Sequence, residues 1–134
     1  MKKFICMAIL ALVTLCASAQ EQSDKDRAKE MYEFIQKEVD RYADALELSD
    51  SQIFYADSIL THNYQAIEDE FKALSDAKVS NTDIYYTVQD KWMEETYKAF
   101  RKMLNDDQWA KYLKIGAARD KKARDKRAAK ALKK

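Results

Sequence analysis

Proline is absent from the sequence and glycine occurs once, at Gly116. A β fold closes its strands with turns that draw on both residues, so a sandwich or barrel is excluded and the chain reads as all-α. Cysteine is nearly as scarce: Cys6 and Cys16 are the only two. His62 is the single histidine, and neither Asp57 nor Glu68 stands at helical spacing from it. A metal site would need ligands from another helix or subunit. A phosphate-binding glycine loop and a nucleophile with a paired base are also missing, so no enzyme activity, metal or cofactor is expected. The acidic groups Glu68-Asp69-Glu70 and Glu94-Glu95 read as solvated helix faces.

What is present begins with MKKFICMAILALVTLCASAQ, two lysines, an apolar run from Phe4 to Cys16 and the small residues Ala17 and Ala19. This order is that of a secretory leader, with cleavage predicted after Ala19. Cys16 follows Val13, Thr14 and Leu15, which depart from the small-residue context of a lipid-attachment site, so a lipoprotein is not expected. Both cysteines lie inside the leader, and residues 20–134 are left without a disulfide. Stability must come from packing, and a chain of this size buries roughly two thirds of its unfolded surface.

Charge is distributed unevenly. Residues 20–110 hold 11 basic and 21 acidic side chains, a sum of -10, whereas residues 111–134 hold 11 basic and 2 acidic, a sum of +9. The organisation predicted is a leader over 1–19, an acidic helical domain over 20–116 and a basic tail over 117–134.

Apolar spacing places the helices. Met31, Phe34, Ile35, Val39, Tyr42 and Leu46 step by three and four from Asp24 onward. A second segment, from Asp50 to about Leu74, sets Ile53, Leu60, Ile67 and Leu74 seven apart, a coiled-coil-like seam interrupted by Asp57. The pattern stops over residues 75–81 and resumes through Tyr85, Val88, Trp92, Tyr97, Phe100 and Leu104. Long helices joined by short connections fold as antiparallel hairpins.

Three helix starts follow one rule. Ser49 as N-cap puts Gln52 at the third helical position, the arrangement of a capping box, with Leu48 and Ile53 as the hydrophobic staple. Asn105, Gln108, Leu104 and Trp109 repeat it. Ser80 with Asp83, between Val79 and Ile84, is read as a third instance.

Leu48-Ser49-Asp50-Ser51-Gln52 and Leu104-Asn105-Asp106-Asp107-Gln108 resemble the LTxxQ motif of the Spy/CpxP family of periplasmic proteins, with Ser and Asn in place of its Thr. The order of helices and motifs extends the resemblance over about residues 28–115. It implies a thin, curved helical hairpin of about four helices, commonly an antiparallel homodimer. It also implies a periplasmic, ATP-independent chaperone or stress-response protein that binds unfolded polypeptides. The alternative it carries is a non-catalytic envelope adaptor or regulator acting through protein–protein contacts.

The aromatic residues and the tail fit such a protein. Adjacent helical positions point about 100° apart, so at least one member of Phe54-Tyr55 and one of Tyr85-Tyr86 should face solvent, a client or a dimer partner. The tail has Leu132 as its only large apolar residue beyond Gly116. It is expected to be solvated, helical or disordered, with Gly116 a weak point, and to serve either as a solubilising tail or in weak electrostatic contact with anionic surfaces; nucleic acid is not expected.

Overall fold

The heptad-spaced residues of the second segment do what their spacing asks: Leu60 and Ile67 are buried, while Ile53 and Leu74 at its ends are half-buried. In the computed structural model the backbone is described for residues 2–133 and the side chains for residues 22–133. Helices α1 (Lys2–Leu46), α2 (Asp50–Asp76), α3 (Thr82–Met103) and α4 (Asp106–Tyr112) are followed by a π turn (Leu113–Ala117) and α5 (Ala118–Ala131). The fold is all-α. The leader expected over 1–19 lies outside the residues whose side chains are described. Among the described residues no helix is long and apolar enough to cross a membrane.

The chain divides into two units, Met1–Phe34 and Ile35–Lys134. In the described part of the first, α1 is supported by local pairs one turn apart. Gln22 donates to Asp26 at 3.3 Å and Lys29 lies 3.9 Å from Glu33. Tyr32 and Phe34 are exposed there.

In the second unit α2 and α3 form an antiparallel hairpin, for the residues that meet run in opposite order. Gln52 reaches Met103, Asn63 reaches Thr96, and Glu70 reaches Lys91 and Trp92. Asn63 is buried and donates to Thr96 Oγ1 at 2.8 Å, while that hydroxyl donates to the Trp92 carbonyl at 3.0 Å. This polar pair in an apolar seam fixes register, because sliding it by a turn would strand the buried Asn63 amide. Asp57, which breaks the seam, accepts a 2.8 Å hydrogen bond from Gln36 of α1. The core is completed by Ile35, Val39 and Leu46 of α1 with Phe100 of α3. Around Phe100 the rings of Tyr42 and Tyr112 stand 5.2 and 5.1 Å away.

A chain with one glycine has to end helices on other residues. Glu47 and Lys78 take the left-handed conformation, φ 53° and 57°. Behind each, the following amide closes the helix end: Leu48 N donates to the Ala43 carbonyl at 3.1 Å and Val79 N to that of Leu74 at 3.0 Å. This is the Schellman closure that usually employs glycine. The one glycine is used elsewhere. Gly116 sits inside the π turn at φ 138° and ψ -21°, a backbone conformation side chains disfavour, and it breaks the helical run between α4 and α5.

Three expectations are corrected. The cap of α3 is Asn81, not Ser80: its Oδ1 accepts from Asp83 N at 3.0 Å, which puts Asp83 at the second position and rules out a capping box there. Gly116 is not a weak point of a continuous helix but the residue whose conformation makes the kink. The segment after it is helical yet not a freely solvated extension, because Arg124 is buried and ion-paired to α3.

The two unusual backbone positions should respond in opposite directions. Lys78→Gly removes the left-handed penalty and is expected to stabilise the fold by about 1 kcal/mol. Gly116→Ala is expected to destabilise it by about 1–3 kcal/mol, whereas at an ordinary helix position alanine would stabilise by about 1 kcal/mol. Urea denaturation of both variants measures the two shifts.

Candidate functional site

Both sequence motifs cap their helices as their residues require. Ser49 Oγ accepts from Gln52 N at 3.4 Å and Gln52 Oε1 accepts from Ser49 N at 3.0 Å. Asn105 Oδ1 accepts from Gln108 N at 2.9 Å and Gln108 Oε1 from Asn105 N at 3.1 Å. Leu48 and Gln52 are half-buried, Leu104 and Gln108 buried, and the two cap residues exposed.

The fold then brings these two boxes together. Gln52 Nε2 donates to Gln108 Oε1 at 2.7 Å, and Gln108 Nε2 donates back to Gln52 Oε1 at 3.0 Å. The second N–H of each amide goes to the helix end at the opposite motif. Gln52 Nε2 donates to the Met103 carbonyl at 3.2 Å and Gln108 Nε2 to the Glu47 carbonyl at 3.4 Å. Each glutamine thus starts its own helix and closes the junction of the other, a two-fold pattern within one chain. Carbonyls at helix C-termini have no intrahelical partner, so these donors satisfy groups that would otherwise be left open. Lys111 pairs with the Glu47 carboxylate across the same junction and holds that exposed carboxyl below the usual glutamate range.

The second unit also holds an aromatic cleft of about 410 Å³, lined by none of the cap residues. Its walls come from α1 to α5, with Leu60 and Met93 among the tyrosines Tyr42, Tyr64, Tyr86, Tyr97 and Tyr112. Charged groups at its edge are matched. Arg41 donates to both oxygens of Glu38 at 3.1 and 2.6 Å, and Arg127 to both oxygens of Asp90 at 2.6 Å. Burial raises the Tyr64 hydroxyl to about 12, helped by the negative Glu38. Burial also pushes up Tyr42, against the pull of Arg41, and Tyr112. These hydroxyls stay neutral through physiological pH and offer ring faces and hydrogen-bond donors.

The aromatic residues singled out from the sequence occupy two places. Phe54 and Tyr55 are exposed by 67% and 56%, and their rings meet only edge to face at 5.8 Å. Tyr86 is exposed on the cleft rim, under the Arg127 guanidinium at 5.7 Å. Tyr85 is half-buried: its hydroxyl donates to the Val79 carbonyl at 2.9 Å and its ring stands edge-on to Phe71 at 5.2 Å. Phe71, opposite Tyr85, lies about 25 Å along α2 from Phe54 at the helical rise, so the pairs form no single patch. His62 is exposed, with its ring 5.7 Å from Trp92. Sequence reading missed Asp90, Arg124 and Arg127, and it took Glu94 for part of a solvated face, whereas Glu94 is half-buried and paired with Arg124 and Lys121. The available signal was an acid pair four apart on α3 and an arginine pair three apart in the tail.

Two outcomes follow from this geometry. A capping box alone accepts glutamate as readily as glutamine, but the interlock needs an amide, because a carboxylate donates nothing to Met103 or Gln108. Gln52→Glu is therefore expected to cost about 2–4 kcal/mol in urea denaturation at neutral pH, as two donors are lost and acceptors face an anion. The cost should shrink as pH falls below about 4.3 and the new carboxyl regains a proton. At the alkaline end, a tyrosine whose pKa is raised on folding contributes stability that is complete below its unfolded value of 10.0 and lost as pH rises through about 12. Denaturation midpoints should fall over that window, and Tyr64→Phe should flatten the fall.

Comparison of the chain with protein-family models, with curated proteins and with solved structures gives no match.

Proposed function

We propose that the chain is an exported, ATP-independent chaperone-like protein that binds unfolded polypeptide without catalysis, with Phe54 and Tyr55 as part of its client surface. The observation that carries this reading is the exposure of two adjacent large aromatics, 67% and 56%, on a helix whose start is rigidly fixed. Large apolar groups on a mobile loop could fold inward, but here Ser49 and Gln52 hold the first turn of α2 immediately before them. Exposed apolar surface on a rigid frame is the feature that captures sticky, non-native segments. The leader of residues 1–19 and the two motif copies support the periplasmic assignment.

The test is suppression of aggregation of a chemically denatured client by the purified protein, compared with a Phe54→Ser, Tyr55→Ser variant. The variant is expected to need several-fold more protein for equal suppression while keeping its helicity. Equal suppression by both proteins, or none by either at several-fold molar excess, contradicts the proposal. Recovery of one stoichiometric envelope partner in place of a broad set of unfolded proteins would favour the adaptor reading.

A further inference from the structure

Helix α5 is held by an unusual set of contacts. From Ala118 to Ala131 its only apolar residues are alanines, so it has little hydrophobic surface to bury. It is held by two arginines one turn apart. Arg127 forms a two-pronged pair with Asp90 at 2.6 Å. Arg124 donates to Glu94 at 3.4 and 3.2 Å with its side chain only 10% exposed, and Lys121 adds a contact to Glu94 at 3.6 Å. Each guanidinium also lies over a ring, Arg124 over Tyr97 at 5.6 Å and Arg127 over Tyr86 at 5.7 Å. The face of α3 therefore carries two similar sockets, each a carboxylate with a tyrosine. Carboxylate forks and aromatic faces are the two groups that arginine matches better than lysine does.

The fit is incomplete in one respect. Ala123, the residue before Arg124, lines the cleft of about 410 Å³ together with Leu60, Met93 and Tyr64, and fills little of it with its methyl group. That volume lies in the range of sites that take a large apolar group. Helix α5 fills the two charged sockets and presents only the Ala123 methyl group to the Leu60, Met93 and Tyr64 wall of the cleft. Its link to the rest of the chain passes through the kink at Gly116, the one described glycine at positive φ.

We propose that the α3 face formed by Tyr86, Asp90, Glu94 and Tyr97 is a binding site for arginine-bearing helical segments of other polypeptides, with α5 as its built-in competitor. The segment it fits best has a large apolar residue followed at once by arginine, and a second arginine three positions later. Such a segment fills both charged sockets and the space beside Ala123. Helix α5 competes with the advantage of tethering, which corresponds to a millimolar local concentration for a short link. Of its own contacts, the exposed Arg127 pair is screened by salt and the buried Arg124 pair much less so. The site lies on α3 and the cleft, so it stands or falls independently of Phe54 and Tyr55.

The test uses the full chain carrying Arg124→Ala and Arg127→Ala, and two labelled peptides read by fluorescence anisotropy. One peptide has the sequence of residues 118–131, and the other has the same sequence with Ala123→Leu. Removing the tethered competitor is expected to tighten binding of the first peptide at least about tenfold relative to the unsubstituted chain. The Ala123→Leu peptide should bind more tightly still, by about fivefold or more, through the apolar group it adds. Both affinities should fall steeply between about 0.05 and 0.5 M salt, and Asp90→Asn with Glu94→Gln added to the chain should abolish them. Should the double alanine chain lose its helicity, Arg124→Lys with Arg127→Lys keeps the charge but not the fork and should give the same order of affinities with smaller differences. Equal binding to substituted and unsubstituted chains, binding that survives Asp90→Asn with Glu94→Gln, or no binding of either peptide overturns the proposal.

Discussion

The reciprocal amide exchange between Gln52 and Gln108 is the constraint on which the rest of the second unit depends. It joins residues 56 apart in the chain with bonds of 2.7 and 3.0 Å. Because each amide also caps its own helix and closes the opposite junction, four helix ends share one cluster of polar groups. Helix α1 ends there, α2 begins, α3 ends and α4 begins. A half-buried amide is costly unless all its donors and acceptors are used. Here both N–H groups of each are used, so losing one glutamine strands groups at both junctions. The interlock also sets the end of the hairpin against which the rings of Tyr42, Tyr97, Phe100, Trp109 and Tyr112 assemble.

The far side of the bundle is held differently. Where α5 meets α3 there is no apolar seam, and two arginines supply the attachment. Exposed ion pairs contribute little individually, and Arg127 is about half exposed, so most of the attachment rests on the buried Arg124. The molecule thus combines a hairpin locked by packing and satisfied amides with a basic helix fastened by one buried and one half-exposed arginine. The tyrosines of the cleft, Tyr112 buried and Tyr42 and Tyr64 half-buried, stay neutral because burial raises their hydroxyls.

Much of this was legible in the sequence because helix capping is local. Ser49 with Gln52 and Asn105 with Gln108 can be recognised from four residues each, and seven-residue spacing marks Leu60 and Ile67 as buried. What was not legible depends on which locally adequate choice wins or on tertiary placement. Ser80 and Asn81 are both good caps, and the closure of α2 at Lys78 and Val79 left Asn81 in the capping position. No local rule announces that Glu47 and Lys78 will adopt positive φ, since such positions usually hold glycine. The tail was read as solvated because it lacks an apolar face. Its docking uses carboxylate and ring sockets that exist only once α3 lies beside it. The pairing of the two caps, the centre of the fold, was hidden for the same reason: nothing in either motif states that the other is its partner.

A double-mutant cycle on Gln52→Ala and Gln108→Ala, followed by urea denaturation, measures that partnership directly. If the two amides close each other's junctions, the second substitution costs much less once the first is made, and the coupling is about 1–2 kcal/mol. Two independent capping boxes would instead give costs that add to within about 0.5 kcal/mol, and that result would contradict the interlock.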